Sequence, residues 1–254
     1  VQELLDKSLR GPEDVRKALS TPVLGVLPKD PSPLRLGRGA QTEVEERLRA
    51  ARTNVLHALS HGARQVVVVT SAGPREGAST TAAGLARVLA LSGHRVVLVG
   101  GDLRSPSAVG APGAPGLAEV LVGTARLSQV LVEGEVPGLE LLPAGDMPGN
   151  PSELLGGRNM SDLLHHLAAD RIVIIDAPPV CRFTDAVVLA EYAGGVLLVA
   201  RAGRTSAEEL REAALAVGQG GGHMLGVVLT NVSDPGRGSR GVQIGATHAE
   251  RATV

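Results

Sequence analysis

Aromatic side chains are almost missing from this 254-residue chain, which has one phenylalanine, one tyrosine and no tryptophan. Leucine, valine and alanine must therefore build the core. With 43% hydrophobic residues there is enough for one large domain, alone or with an appendage. The lone cysteine, Cys181, excludes a disulfide framework and fits a reducing compartment. No run of about 18 apolar residues occurs, so no membrane-spanning helix is expected. A formal net charge of −1 offers no basic field to a polyanion, which argues against a nucleic-acid partner. Lysine stops at Lys29, so every permanent positive charge further along is an arginine.

What the chain has in quantity is apolar runs alternating with helical patterns. Val1–Leu9 and Pro12–Leu19 read as short helices, the second opened by Pro12, with Glu13 and Asp14 placed favourably for its dipole. The chain begins inside an apparent helix without a signal-peptide pattern and reads as a piece of something longer. A strand is expected at Val23–Leu27, a Pro/Arg/Gly loop at Asp30–Gly39, and a long helix at Thr42–Leu59 with Leu48, Val55, Leu56 and Leu59 on its apolar side. Strands follow at Val66–Thr70, Val96–Val99, Leu139–Leu142, Arg171–Ile175, Gly195–Val199 and Leu225–Leu229. Helices Ser79–Leu91, Leu117–Val122, Leu127–Val132, Met160–Ala168, Thr184–Tyr192 and Ser206–Val217 lie between them. Gly110–Gly116 and Gly218–Gly222 are loops by composition.

Continuous apolar strands with helical crossovers imply an α/β fold, a mostly parallel sheet covered by helices on both faces. Ligands of such sheets sit beyond the carboxyl ends of the strands. The expected division is a helical arm with an entry strand over 1–40, a domain over 41–232, and a mobile polar tail over 233–254 that contains no tyrosine.

The stretch Gln65–Ala86, QVVVVTSAGPREGASTTAAGLA, joins an apolar run to a helix-forming segment through a turn rich in glycine and proline. This is the layout of a strand feeding a phosphate loop. Backbone N–H groups and the positive end of the helix hold phosphates there, a lysine adds charge, and a Ser or Thr hydroxyl takes a place on Mg²⁺. Gly73, Arg75, Glu76, Gly77, Ala78, Ser79 and Thr80 are the candidate nucleotide-binding residues, with Ala78 where the pattern has lysine. Val97–Arg104, VLVGGDLR, ends the next strand and brings Asp102 within reach of a metal or its water. Ile172–Pro179, IVIIDAPP, presents Asp176 as a Walker B strand does. Any buried strand can end in an aspartate that merely caps a turn, yet three such segments in this order point to one site. Asp102 and Asp176 are the candidate catalytic acids, and Ser79, Asp102 and Asp176 are the candidate ligands of a Mg²⁺ held with ADP or ATP.

The segment TSAGPREGASTTAAGLARVLALSGHRVVLVGGDLRSP resembles the loop, helix and second Walker motif of the bacterial tyrosine kinases, the cytoplasmic domains of capsule and exopolysaccharide chain-length regulators. VLGVLP at Val23–Pro28, NPSELLGG at Asn150–Gly157, VLLVARAGRT and GVVLTNV extend the likeness over nearly the whole chain. The resemblance implies a P-loop NTPase-type fold and a homo-oligomeric ring. It also implies a membrane-embedded polysaccharide co-polymerase part or adaptor as partner, and a place on the cytoplasmic face of the bacterial membrane. Glu46, Arg49 and Arg52 fall on the family's E-x-x-R-x-x-R spacing, which in relatives lies at the subunit contact. On spacing alone a solvated intrahelical pair worth about 0.2–0.5 kcal/mol is the simpler reading; the adjoining R-T-N, Arg52–Asn54, favours the family's.

Against that pattern three residues depart. The family has glycine, lysine and aspartate where this chain has Arg75, Ala78 and Gly100. Relatives also end in a cluster of tyrosines, whereas the only tyrosine here, Tyr192, falls in an expected helix. A charge-assisted hydrogen bond contributes about 1.5–3 kcal/mol, so loss of the lysine is expected to weaken ATP binding on the order of ten- to a hundredfold. Transition-state stabilisation falls with it, because phosphoryl transfer depends mainly on positioned positive charge. Arg75 returns some charge, while its Cβ is expected to narrow the phosphate cradle.

The expectation is a pseudokinase that regulates polysaccharide chain length or export through assembly, with nucleotide optional. A residual protein-tyrosine kinase or ATPase served by Arg75 and Asp102, a ParA/MinD-type partitioning ATPase, and an inactivated laboratory variant are the alternatives. His165 and His166, adjacent on a helix, point about 100° apart and cannot share a metal. Cys181 reads as an inert buried thiol, and Asp185 as a helix cap.

Overall fold

Four consecutive valines, Val66–Val69, leave no polar face for a strand to turn to water. In the computed structural model Val66 and Val68 enter one hydrophobic core and Val67 and Val69 the other, as the two-residue period of a strand requires. The structure describes residues 7–29, 43–59, 64–105, 109, 111 and 113–233. In chain order the elements are α1 (Pro12–Ala18), β1 (Val23–Pro28), α2 (Glu43–Leu59), β2 (Val66–Ser71), α3 (Ala78–Ala90), β3 (Val96–Gly100), α4 (Leu117–Val122), α5 (Leu127–Val130), β4 (Val132–Glu133), β5 (Leu139–Leu142), α6 (Pro151–Leu155), α7 (Arg158–Ala168), β6 (Ile172–Asp176), α8 (Asp185–Ala190), β7 (Gly195–Arg201), α9 (Ala207–Gln219) and β8 (Met224–Val232).

The strands form one sheet in the order β1-β8-β7-β2-β6-β3-β5-β4. Every neighbouring pair is parallel except β4 with β5. Helices cover both faces. Leu48, Val55 and Leu59 of α2 pack with Leu85 and Leu89 of α3 on one side, while α1, α4, α7, α8 and α9 supply Val15, Leu121, Leu167, Leu189 and Leu210 to the other. Each fully buried leucine contributes about 1.5–3 kcal/mol relative to an exposed one, which is how a core nearly without aromatics holds.

Several local expectations give way. Lys7–Leu9 is not helical: Ser8 bridges Ser206, Leu9 N donates to Thr205 O at 2.8 Å, and Gly203 N donates to Leu9 O at 2.8 Å. Leu9 is 1% exposed, so the burial of one side chain against the α9 entrance overrides a weak local helix preference. The rest of the Val1–Leu9 expectation, the Asp30–Gly39 loop and the tail beyond Ser233 lie outside the described residues.

The helix expected over Leu127–Val132 stops at Val130, and Val132 and Glu133 instead pair antiparallel with Leu141 and Glu140. A two-residue strand carries no alternation to be read. Helix α6 was not anticipated either; it opens on Pro151, where a missing N–H is harmless, and is too short for a helical period. Tyr192 lies just past α8, which ends at Ala190.

Candidate nucleotide site

Strand β2 ends at Ser71 and α3 begins at Ala78, so residues 72–77 make the loop. Two of them take the left-handed conformation, Arg75 at φ 62° and Gly77 at φ 100°. For arginine that conformation costs about 1–2 kcal/mol, and something must hold it.

The holder is Glu76. Its Oε1 accepts from Thr205 Oγ1 at 2.6 Å and its Oε2 from Gly73 N at 3.1 Å, while Thr230 Oγ1 donates to Glu76 O at 2.7 Å. Thr205 Oγ1 in turn accepts from Arg201 N at 2.8 Å. The carboxylate is 3% exposed and ties the loop to the ends of β7 and β8. Glu76 was expected among the nucleotide-binding residues; its side chain faces inward, and only its main chain is left for a ligand. Burial pushes the carboxyl above the ordinary glutamate value, against the hydrogen bonds from Thr205 and Gly73.

The start of α3 suits a phosphate. Its N-cap, Gly77, makes no side-chain capping bond, no acid stands in the first turn, and Thr81 N to Gly77 O, 2.9 Å, is the bond that opens the helical ladder. The N–H groups before it have no intrahelical acceptor and carry the positive end of the dipole. A nucleoside diphosphate or triphosphate therefore fits the loop by its donors, with Gly73–Thr80 as the cradle.

The two acids stand differently. Asp176 ends β6, is 2% exposed, and lies opposite Val69 of β2 and Gly100 of β3. Asp102 turns onto its own loop, where Oδ1 accepts from Arg104 N at 3.0 Å and Ser105 N at 3.2 Å. Burial raises its carboxyl, and these two N–H groups pull it back. Among the described residues no group of three or more His, Cys, Asp or Glu could hold a metal. A magnesium ion on Ser79, Asp176 and the remaining oxygen of Asp102 would complete its shell with water and phosphate oxygens.

At Gly100 there is no room for the missing acid. A Cβ there would meet Ala144 N at 2.8 Å and Ala144 Cα at 3.3 Å, both backbone atoms.

Next to Asp102 lies an ion pair that the sequence did not disclose. Asp185, expected to cap a helix, is fully buried and takes Arg104 in a fork, Nε to Oδ2 at 2.6 Å and Nη2 to Oδ1 at 3.0 Å. Ser152 Oγ also donates to Asp185 Oδ1 and receives Arg104 Nη2 at 3.1 Å. The guanidinium carbon sits 4.7 Å from the centre of the Phe183 ring. The second motif, α6 and the start of α8 are thereby fixed to one another.

Of the E-x-x-R-x-x-R residues, Arg49 pairs within its own helix with Glu46 and with Glu45, the latter at 2.7 Å. Arg52 Nη1 donates to Val88 O of α3 at 3.3 Å. Cys181 is exposed rather than buried; partial desolvation and the carboxylates of Glu212, Glu76 and Glu209 hold its thiol at about 11, so it stays protonated at neutral pH. His165 Nδ1 bonds Ser161 O within α7.

No protein-family profile matches the chain. It is 38% identical over 204 residues to EpsB of Ralstonia nicotianae, covering 77% of this chain and 27% of that protein. It is 36% identical over 188 residues to the tyrosine-protein kinase YwqD of Bacillus subtilis, covering 72% of this chain and 79% of YwqD.

The chain belongs to the bacterial tyrosine kinases.

The kinase domain of the Escherichia coli tyrosine kinase ETK superposes with a TM-score of 0.80 at 26% identity, over 94% of this chain and 98% of that one. A MinD from Pyrococcus horikoshii, solved with Mg-ADP, is similar in fold alone, at 20% identity and TM-score 0.54 over 70% of this chain and 74% of that one. This bacterial tyrosine kinase chain spans only about a quarter of the length of EpsB.

Two outcomes are expected from this geometry. The native state holds the Glu76 proton more tightly than the unfolded chain, so this group's contribution is full below its ordinary value of 4.5 and is lost as pH rises through the higher folded value. Thermal melts of Glu76→Gln against the parent should therefore show a stability difference that moves in favour of the variant as pH climbs from about 4.5, and a constant difference refutes the assignment. Arg104→Ala leaves Asp185 as a buried, uncompensated charge and should cost about 3–5 kcal/mol in urea unfolding, with Arg104→Lys costing less.

Proposed function

We propose that this chain is the nucleotide-binding domain of a regulator of capsular or exopolysaccharide chain length or export. It holds ADP or ATP with Mg²⁺ but does not pass phosphate on at the pace of an intact kinase. Its output is the state of a homo-oligomeric ring, through Glu46, Arg49 and Arg52, and contact with a membrane-embedded polysaccharide co-polymerase part or adaptor. The place of action is the cytoplasmic face of the bacterial membrane.

The observation that carries this reading is Gly100 lying under the Ala144 backbone. An acceptor hydroxyl has to give up its proton to become a nucleophile, and the acid lost at 100 would have stood beside Asp176. A side chain cannot return there without moving main chain. Bound Mg-ATP supplies an electrophilic γ-phosphorus and the charge that draws a nucleophile. The residues present do the rest of the holding: Gly73–Thr80 orient the phosphates, Glu76 keeps the loop from collapsing, and Asp176 and Ser79 stand for the metal. With Ala78 at the helix start, no side-chain cation there follows the phosphate into a transition state. The only tyrosine, Tyr192, spends its hydroxyl on Gly156 O at 2.8 Å, which removes it as a ready acceptor.

The second reading is a slow protein-tyrosine kinase, supported by the retained Asp176 and by the names of the relatives. Incubating the chain with γ-labelled Mg-ATP and a tyrosine-containing acceptor separates the two. No transfer above that of an Asp176→Ala control is expected, and transfer that vanishes in the control overturns the pseudokinase reading. Gly100→Asp should not restore transfer and should lower stability by about 1–3 kcal/mol, the usual range for overpacking, measured by urea unfolding.

A further inference from the structure

A loop that receives two or three phosphates needs a positive side chain, and Ala78 supplies none. Arg104 is committed to Asp185 through both Nε and Nη2. Arg75 has an exposed side chain with no bonded partner among the described residues, in a left-handed position whose main chain is what the loop uses.

Arg201 stands differently. Strand β7 runs beside β2 with Val199 opposite Ser71, so Arg201, two residues further, lies level with the start of the loop. Its backbone N–H is fixed by Thr205 Oγ1, the hydroxyl that also fastens Glu76. Its Nη1 donates to Arg75 O at 3.3 Å and its Nη2 to Asn231 Oδ1 at 3.4 Å. Both bonds are long and both acceptors are neutral. Among the described residues no carboxylate pairs with this guanidinium. A guanidinium carries five N–H donors, so about three remain unused, with the whole positive charge, at the rim of the phosphate loop. Its planar fork is suited to a phosphate.

We propose that Arg201 is the phosphate-binding cation of this site, taking at the end of β7 the electrostatic part that a lysine at position 78 has in relatives. The ligand class is a nucleoside diphosphate or triphosphate, and the inference rests on the nucleotide-binding reading above. Arg201 swings from the Arg75 carbonyl to the phosphate oxygens, and its tie to Asn231 sets the radius of that movement.

Calorimetric titration of the 254-residue chain with Mg-ADP tests it, on the parent and on Arg201→Gln, Arg201→Lys and Arg95→Gln. Arg201→Gln should weaken Mg-ADP by about ten- to a hundredfold, Arg201→Lys should stay within about threefold of the parent, and Arg95→Gln, at the far end of β3 from the loop, should change little. The salt dependence of the affinity should also become shallower in Arg201→Gln. Lysine keeps the charge but cannot clamp Arg75 O and Asn231 together. If Arg201→Lys is as weak as Arg201→Gln, the residue is a structural clamp and the proposal fails. Unchanged affinity in Arg201→Gln also overturns it. If the parent binds neither Mg-ADP nor Mg-ATP at millimolar concentration, the nucleotide reading falls first and takes this inference with it.

Discussion

The loop depends on a buried carboxylate, Glu76, although it is built to suit phosphates. Phosphates and Glu76 repel, so the acid is tolerable only because it faces away, into hydroxyls from two other segments. Thr205 and Thr230 come from the ends of the strands next to β2 on one side of the sheet, and they reach Glu76 only when β7 and β8 are in register. The loop is therefore shaped by sheet assembly rather than by its own sequence. That accounts for how Arg75 keeps a conformation that glycine would adopt freely: the residue after it is pinned at both side chain and carbonyl.

The fold was legible where burial on both faces forced a pattern. Val66–Val69, Val96–Val99 and Ile172–Ile175 admit no reading but covered strands, and the helices between them follow from length and period. The ends of those strands were less legible, because β2, β3, β6 and β7 each run on into residues that carry the site: Ser71, Gly100, Asp176 and Arg201. Ser8–Leu9 was misread because a backbone pairing with the Gly203–Ser206 turn leaves no trace in a short local window. The site shows the same division. Spacing pointed to the loop, Asp102 and Asp176 as candidates, all of which lie within motifs. The Arg104–Asp185 pair spans 81 residues and the Glu76–Thr205 bond 129, and no local rule connects them.

The three departures are not equivalent physically. Ala78 removes a charge and leaves space; a lysine could be put back. Arg75 adds bulk at an exposed point that the brace already tolerates. Gly100 is the one that has been built around, since the chain after β5 comes so close that Ala144 N would lie 2.8 Å from any Cβ. The pairing of Val99 with Leu142 sets the level from which the chain continues to Ala144, so the approach follows from the packing of β5 on β3. A site altered at one residue for an experiment would show the first kind of change without the third.

Where the cation stands decides what such a site can do. A lysine at the start of α3 hangs on a long flexible stem and can follow charge as it moves from one phosphate oxygen to another. A guanidinium at the end of a strand, with its backbone held by Thr205 and its head tied to Asn231, moves only within the radius that tie sets. Placed so, it would stabilise a bound nucleotide about equally before and during any transfer, and stabilisation that is equal in both lowers the dissociation constant without lowering the barrier. If Arg201 is the phosphate cation proposed above, the charge moved from helix to strand suits the loop to retention rather than reaction. Such a loop can still report through the sheet which nucleotide it holds, because the same Thr205 that positions Arg201 also holds Glu76 and the segment entering α9.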